Sequence, residues 1–178
     1  MVEIVQEGHK ALRQIAKDVP IEDICKPEIQ KVISDMSQAL DSQFDGVAIA
    51  APQIGKSLRI FLVSHKVFDR QFMEADYQKM KKNNFPKKSD NKVFINPVFL
   101  KISKDKKLMS EGCLSVRPLY GKVRRATRAT IEAYDQTGKK FKMEGSGLLA
   151  HIFQHETDHL EGVLFIDKAK DIEHINYE

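Results

Sequence analysis

Apolar positions along the chain fall into segments with distinct periods. From Pro27 to Gln43, Ile29, Val32, Ile33, Met36, Ala39 and Leu40 recur at helical spacing. Pro27 suits a first turn, so the segment predicts an amphipathic helix that ends before Gly46. Leu58 to Val63 is a run of branched and aromatic residues and predicts a buried strand. Lys66 to Lys92 is polar and lysine-rich; it predicts a surface excursion (66–92) with a short helix around Glu74 to Lys81. Val93 to Ile102, interrupted by Asn96-Pro97, predicts two short strands or one bent strand. Thr130 to Tyr134 and Lys140 to Met143 flank Asp135-Gln136-Thr137-Gly138, the signature of a hairpin. A second helix is expected from about Ser146 to Leu160, with Gly162 placed to stop it. Strands in succession with helices toward the two ends imply an α+β fold rather than a wound parallel sheet.

The 178 residues fit a single domain spanning 1–178, and 42% hydrophobic with 30% charged residues exclude a disordered chain. The longest apolar run falls short of the roughly 20 residues needed to span a bilayer. The N-terminus Met-Val-Glu-Ile-Val-Gln-Glu carries acids and no apolar core, unlike a secretory signal. The expectation is a cytoplasmic protein without a membrane partner. The net charge of +4 is a mild excess, with basic runs at Lys79 to Lys88, Lys101 to Lys107 and Lys122 to Arg128. Such runs can attract RNA or a ribosomal surface, but no interleaved aromatics accompany them, so no specific nucleic-acid partner is expected. Cys25 and Cys113 make no disulfide framework, and each thiol needs its own explanation.

The chemistry concentrates in His155-Glu156-Thr157-Asp158-His159. On a helix, residues i and i+4 lie on one face, so both imidazoles can reach one metal ion while Glu156 projects beside them toward a water. At about 100° per residue, Leu148, Ile152, His155 and His159 share a stripe, with Leu149, Glu156 and Leu160 further round the same side. A surface helix with an incidental histidine pair would not put its polar residues inside the apolar arc. His151 extends the histidine ladder, but residues 151 and 159 are about 12 Å apart along a helix axis and cannot share an ion. Only the 155/159 pair has a carboxylate beside its first member, so His151 reads as a pocket-lining or capping residue. A catalytic metal usually takes three protein ligands, and Cys113 in Ser110-Glu111-Gly112-Cys113-Leu114-Ser115 is the natural third. The rival is a closed structural zinc site using Cys25, Cys113, His155 and His159, without any C-x-x-C knuckle to support it; otherwise Cys25 is a structural thiol. Glu111 and Arg125 are either a pair that holds the cysteine loop or two ordinary surface charges.

These residues resemble a known family. HExxH at 155–159 and Glu111-Gly112-Cys113-Leu114-Ser115 are similar to the two marker segments of the peptide deformylases. The family's upstream G-x-G-x-A-A-x-Q segment is represented by Gly46-Val47-Ala48-Ile49-Ala50-Ala51-Pro52-Gln53, and similarity extends to Leu12-Arg13, Asn96-Pro97 and Leu160-Glu161-Gly162. The resemblance implies antiparallel sheets packed around a central metal-binding helix, with an N-terminal helix before them. It implies hydrolysis of the N-formyl group of formylmethionyl peptides, releasing formate, with transient ribosome contact as a further partner. One divalent ion per chain is implied, Fe²⁺ in the cell, with Ni²⁺, Co²⁺ or Zn²⁺ accepted in preparations. Carried over, Cys113, His155 and His159 bind the ion and Glu156 is the general acid/base. The Gln53 side-chain amide and the Leu114 backbone N–H stabilise the oxyanion. Gly46, Ala48, Leu148, His151 and Ile152 line the substrate pocket.

The chain departs from the family pattern in two places at the site. Ala48 replaces the second glycine, adding a methyl beside the substrate, and Ser115-Val116-Arg117-Pro118 replaces Ser-hydrophobic-Pro. Two competing readings follow: an HExxH metallopeptidase of other specificity, and a catalytically silent binding protein that keeps the fold.

Overall fold

The computed structural model describes residues 2–69 and 90–174. The short helix expected at Glu74 to Lys81, the body of the excursion and the basic run at Lys79 to Lys88 lie outside these residues.

The amphipathic segment forms α1, Pro27–Asp41, with Pro27 in its first turn and Ile33, Met36, Ala39 and Leu40 buried. Five strands form one antiparallel sheet in the order β1-β2-β3-β6-β7. They are β1 (Ala48–Ala50), β2 (Ile60–Val63), β3 (Lys92–Ile102), β6 (Arg128–Tyr134) and β7 (Lys140–Ser146). A second helix, α2, spans Leu148–Leu160. Side chains alternate across a strand, and β2 displays this cleanly. Ile60 and Leu62 join the α1 stripe in one core cluster, while Phe61 and Val63 meet Ala150 and Phe153 of α2 in another. Both faces of β2 are covered by helices, which is why it reads as a continuous apolar run rather than an alternating one.

A smaller sheet pairs β4 (Lys106–Gly112), β5 (Leu119–Ala126) and β8 (Lys170–His174) in the order β4-β5-β8. Its inner residue Val123 packs with Leu12, Cys113, Leu164 and Phe165. The architecture is α+β, with α2 held between the two sheets. No helix among the described residues is long and apolar enough to cross a membrane.

Two expectations are sharpened by the coordinates. Val93 to Ile102 belongs to one bent strand. Asn96 takes a φ of 49°, its side-chain amide closes a pair of hydrogen bonds with the Val19 backbone, and the register with β6 shifts between Ile95 and Val98. The excursion does not begin at Lys66 or run to Lys92. His65, Lys66 and Val67 are buried in a 3₁₀ turn, and the Lys66 ammonium donates to the Gln43 carbonyl at 2.7 Å. At the other end, buried Asn91 donates to Ser37 Oγ and Asp41 Oδ1, both at 2.8 Å. Lysine enters the interior here because its ammonium meets carbonyls just beyond the C-terminal end of α1.

Candidate active site

α2 carries the histidines into the interior. It starts at Leu148, two residues later than the periodicity implied, because Ser146 still belongs to β7 and Gly147 turns the chain at a φ of 54°. Ala150, His151, Ile152, Phe153, Glu156, His159 and Leu160 are buried, so nearly the whole circumference of the helix is covered.

Cys113 is delivered from the other side by the end of β4. The residue before it has to be small: a Cβ on Gly112 would come within 2.5 Å of the Tyr120 ring. The N-terminal segment braces this loop, with Gln6 Nε2 donating to the Leu114 carbonyl at 3.1 Å and the Glu7 N–H to the Ser115 carbonyl at 2.8 Å. Cys113 Sγ then lies 3.2 Å from His159 Nε2, and one ligand atom each from Cys113, His155 and His159 fall within 4.8 Å of one another. His155 donates from Nδ1 to Glu111 Oε2 at 2.8 Å, which leaves its Nε2 as the lone-pair atom. Cys25 takes no part: it is exposed and its Sγ sits 3.5 Å from the Thr137 carbonyl. The closed four-ligand zinc site therefore lacks its fourth ligand.

The donor set fits a divalent cation. Burial pushes the Cys113 thiol up to about 12, and the charges on Glu156 and Glu111 add to the rise. Burial holds His159 well below the usual imidazole range, and the neighbouring His155 lowers it further, so its ring is neutral and could offer a lone pair to a cation. Burial drives Glu156 well above the usual carboxyl range, reinforced by the charge on Glu111. His159 Nδ1 and Glu156 Oε2 are buried without a hydrogen-bond partner among the described residues. A cation among these groups would favour the thiolate and the carboxylate together.

Gln53 faces the same point. It is 1% exposed, and its Oε1 accepts from the Ala50 N–H at 2.8 Å. That bond turns Nε2 toward Cys113 Sγ at 3.4 Å and Ser115 Oγ at 3.2 Å. The Leu114 N–H donates to no described residue. A cleft of about 200 Å³ opens in front of these groups. Gly46, Ala48, Gln53, Leu114, Leu148, His151, Ile152, His155, Glu156, Glu111 and Cys113 all line it, whereas His159 and Arg125 stand behind its wall.

Glu111 and Arg125 are not surface charges. The Arg125 guanidinium grips both oxygens of Glu111, Nε to Oε1 at 2.6 Å and Nη2 to Oε2 at 3.0 Å, and Glu111 side-chain exposure is 0%. Burial alone would raise the Glu111 pKa, but hydrogen bonds from His151, His155 and Arg125 outweigh it and hold the carboxyl far below its usual range. Arg125 Nη1 continues to Asp158 Oδ2 at 2.7 Å, and Lys168 closes the chain on Asp158 at 2.7 Å. Sequence reasoning missed Asp158, although it stands one turn beyond His155 on the same helix. It also missed the ion pair between Asp45 and Arg117, 2.7 Å, both of which line the cleft. The arginine at 117, standing between Val116 and Pro118 where the family pattern has Ser-hydrophobic-Pro, was its visible trace.

Comparison with known proteins decides the family. The polypeptide deformylase profile matches residues 1–174. The chain belongs to the peptide deformylase family. It is 36% identical over 170 residues to a peptide deformylase of Desulfitobacterium hafniense, covering 94% of each protein. It is also 36% identical over 167 residues to peptide deformylase 1A of Arabidopsis thaliana, described as chloroplastic/mitochondrial, covering 93% of this chain but 60% of that protein. The crystal structure of a peptide deformylase from Legionella pneumophila superposes with a TM-score of 0.77 at 34% identity, covering 96% of this chain and 87% of that one. Peptide deformylases are metal-dependent hydrolases that act on formylated nascent peptides, removing the formyl group from N-terminal methionine, and that is the activity of this chain.

Proposed function

We propose that Cys113, His155 and His159 hold a single divalent ion and that Glu156 moves the protons of deformylation. The observation that carries this reading is the convergence of three ligand atoms within 4.8 Å beside the unpartnered Glu156 Oε2. An ion bound there supplies Lewis-acid charge at the formyl carbonyl and acidifies water. Glu156 accepts a proton from the attacking water and delivers it to the departing methionine nitrogen as the C–N bond breaks and formate leaves. Gln53 Nε2 and the Leu114 N–H donate to the carbonyl oxygen as it gains charge, a contribution of roughly 3 kcal/mol for such a donor. Glu111 and Arg125 hold the His155 ring. Gly46, Ala48, Leu148, His151 and Ile152 form the pocket for the methionine side chain, and a small formyl group is favoured where the walls close around the reacting carbon.

Fe²⁺ is the physiological ion in this reading, with Ni²⁺, Co²⁺ and Zn²⁺ as substitutes; a thiolate and two imidazoles accept all of them. A cytoplasmic setting and a transient encounter with the ribosome complete it. The exposed cations Lys101, Lys104, Lys106, Lys107, Lys122 and Arg124 favour such an encounter, so co-sedimentation with ribosomes should fall steeply as salt rises.

The test is formate release from formyl-Met-Ala-Ser by protein prepared anaerobically with Fe²⁺ or Ni²⁺, beside Glu156→Ala. Turnover that disappears in the variant while the ion stays bound is the expected result. Equal turnover in the two proteins would remove Glu156 from its role. A bound ion without turnover in the wild type would favour the silent binding protein instead.

A further inference from the structure

His151 has no place in an apolar pocket for a thioether, yet it is 8% exposed and stands in the wall beside Leu148 and Ile152. Its hydrogen bond explains its presence. His151 Nε2 lies 2.8 Å from Glu111 Oε1, while His155 Nδ1, one helical turn later, lies 2.8 Å from Glu111 Oε2. Arg125 adds one N–H to each oxygen. A carboxylate offers about four acceptor sites, and all are filled by four N–H groups from two elements. The carboxylate cannot turn about its own axis without breaking several of these bonds at once.

Glu111, His151 and His155 also bring ligand atoms within 4.8 Å of one another. Arg125 already occupies both oxygens of that carboxylate, so the group is a hydrogen-bonded set and not a second ion site.

We infer that His151 is a positioning residue for the metal centre: by holding Glu111 Oε1, it fixes the acceptor that orients the His155 ring, at the expense of apolar lining in the substrate pocket. The inference builds on Cys113, His155 and His159 as the ligands. It extends the set that holds the metal helix in register with β4 and β5 from Glu111 and Arg125 to a residue on the helix itself. Replacing His151 by an aliphatic residue removes one of the four donors from a fully buried carboxylate and leaves Oε1 held by Arg125 alone, so the carboxylate is fixed less firmly, while making the pocket better suited to methionine.

The experiment uses Co²⁺-loaded holoenzyme and follows both transfer of Co²⁺ to excess chelator and the visible Co²⁺ absorption bands. Wild type is compared with His151→Leu, His151→Gln, His151→Asn and Cys113→Ser. Outer partners of metal ligands typically change affinity by about 10- to 100-fold, so His151→Leu should lose Co²⁺ at least tenfold faster, with altered bands. Its KM for formyl-Met-Ala-Ser should stay level or fall while kcat drops. His151→Gln, long enough to reach Glu111 with an N–H, should restore retention and spectrum; His151→Asn, polar but too short, should not. If His151→Leu does not fold, the contrast between Gln and Asn decides. Wild-type retention and bands in His151→Leu, or equal behaviour of Gln and Asn, would overturn the inference. Co²⁺ held as firmly by Cys113→Ser as by wild type would instead overturn the ligand assignment, a separate outcome.

Discussion

The two sides of α2 are both buried, yet they are held by different physics. Toward the large sheet, Phe153 meets Phe94 edge-on at 5.4 Å and lies 6.4 Å from Phe61, which stacks on Phe94 at 4.6 Å. This contact is apolar and tolerant of small shifts, because burial energy follows area rather than direction. Toward the small sheet, the same helix presents His151, His155 and Asp158 to Glu111 and Arg125 through hydrogen bonds of 2.7–2.8 Å. There each of these bonds fixes one donor on one acceptor. Among the described residues, three buried side-chain atoms lack a partner, and two of them, Glu156 Oε2 and His159 Nδ1, belong to this side. The lesson is that the apolar side fixes where the helix lies, whereas the polar side fixes how its rings and carboxylates point.

The sharpest way to separate the two sides is to remove one group from each. Glu156→Ala should lower kcat by about 10²–10⁴-fold with ion content unchanged and thermal stability level or higher, since an unpartnered buried carboxyl disappears. Phe153→Ala should do the reverse: a loss of about 3–5 kcal/mol in urea unfolding, with near-normal kcat in the molecules that remain folded. If Phe153→Ala lost kcat as deeply as Glu156→Ala, the division between the sides would collapse.

Arg125→Leu breaks the ionic side from behind the cleft. It leaves Glu111 buried with two imidazoles and no guanidinium, a change that typically destabilises by about 3–5 kcal/mol, and it should also weaken ion retention. Loss of stability without any change in ion retention would mean that Arg125 serves packing alone.

Acid titration isolates Glu111. Its folded pKa lies below its unfolded value of 4.5, because donors from His151, His155 and Arg125 outweigh burial. A depressed carboxyl pKa contributes stability that is complete above the unfolded value and is lost as pH falls toward the folded one. Urea midpoints should therefore fall between pH 5 and pH 3 more steeply in wild type than in Glu111→Gln. Parallel slopes would contradict the shift.

Ala48→Gly should have the smallest effect. Removing one methyl from the pocket wall should raise kcat/KM for formyl-Met peptides by less than about tenfold, the low end for a methyl-sized change. Stability should drop by about 0.5–1 kcal/mol because glycine is freer in the unfolded chain. A fall in kcat/KM would mean that this methyl supports the substrate rather than crowding it.

Legibility in the sequence followed the same division. The apolar elements announced themselves: α1 by its period, β2 by its run, β6 and β7 by the turn between them. The motif on α2 was legible because its polar residues break into an apolar arc. The small sheet was nearly silent. β4 exposes Leu108 and buries Glu111, β5 buries Arg125 directly after exposed Arg124, and β8 is exposed throughout. Where a strand turns a charge inward, as at Glu111 and Arg125, or an apolar side chain outward, as at Leu108, the alternation that would mark it is lost. The bond from His151 to Glu111 joins residues forty positions apart, and no local pattern encodes such a pair. Lys66 misled for a similar reason: its ammonium is buried only because the Gln43 carbonyl awaits it.

The central claim is that the polar side of α2 is a metal centre built on Cys113, His155 and His159. Equilibrium dialysis of anaerobically prepared protein against Ni²⁺, with Cys113→Ala and His159→Ala alongside, tests it most directly. The account predicts one ion per wild-type chain and a large loss of affinity in both variants. Wild-type protein that binds no ion, or variants that hold it undiminished, would contradict it.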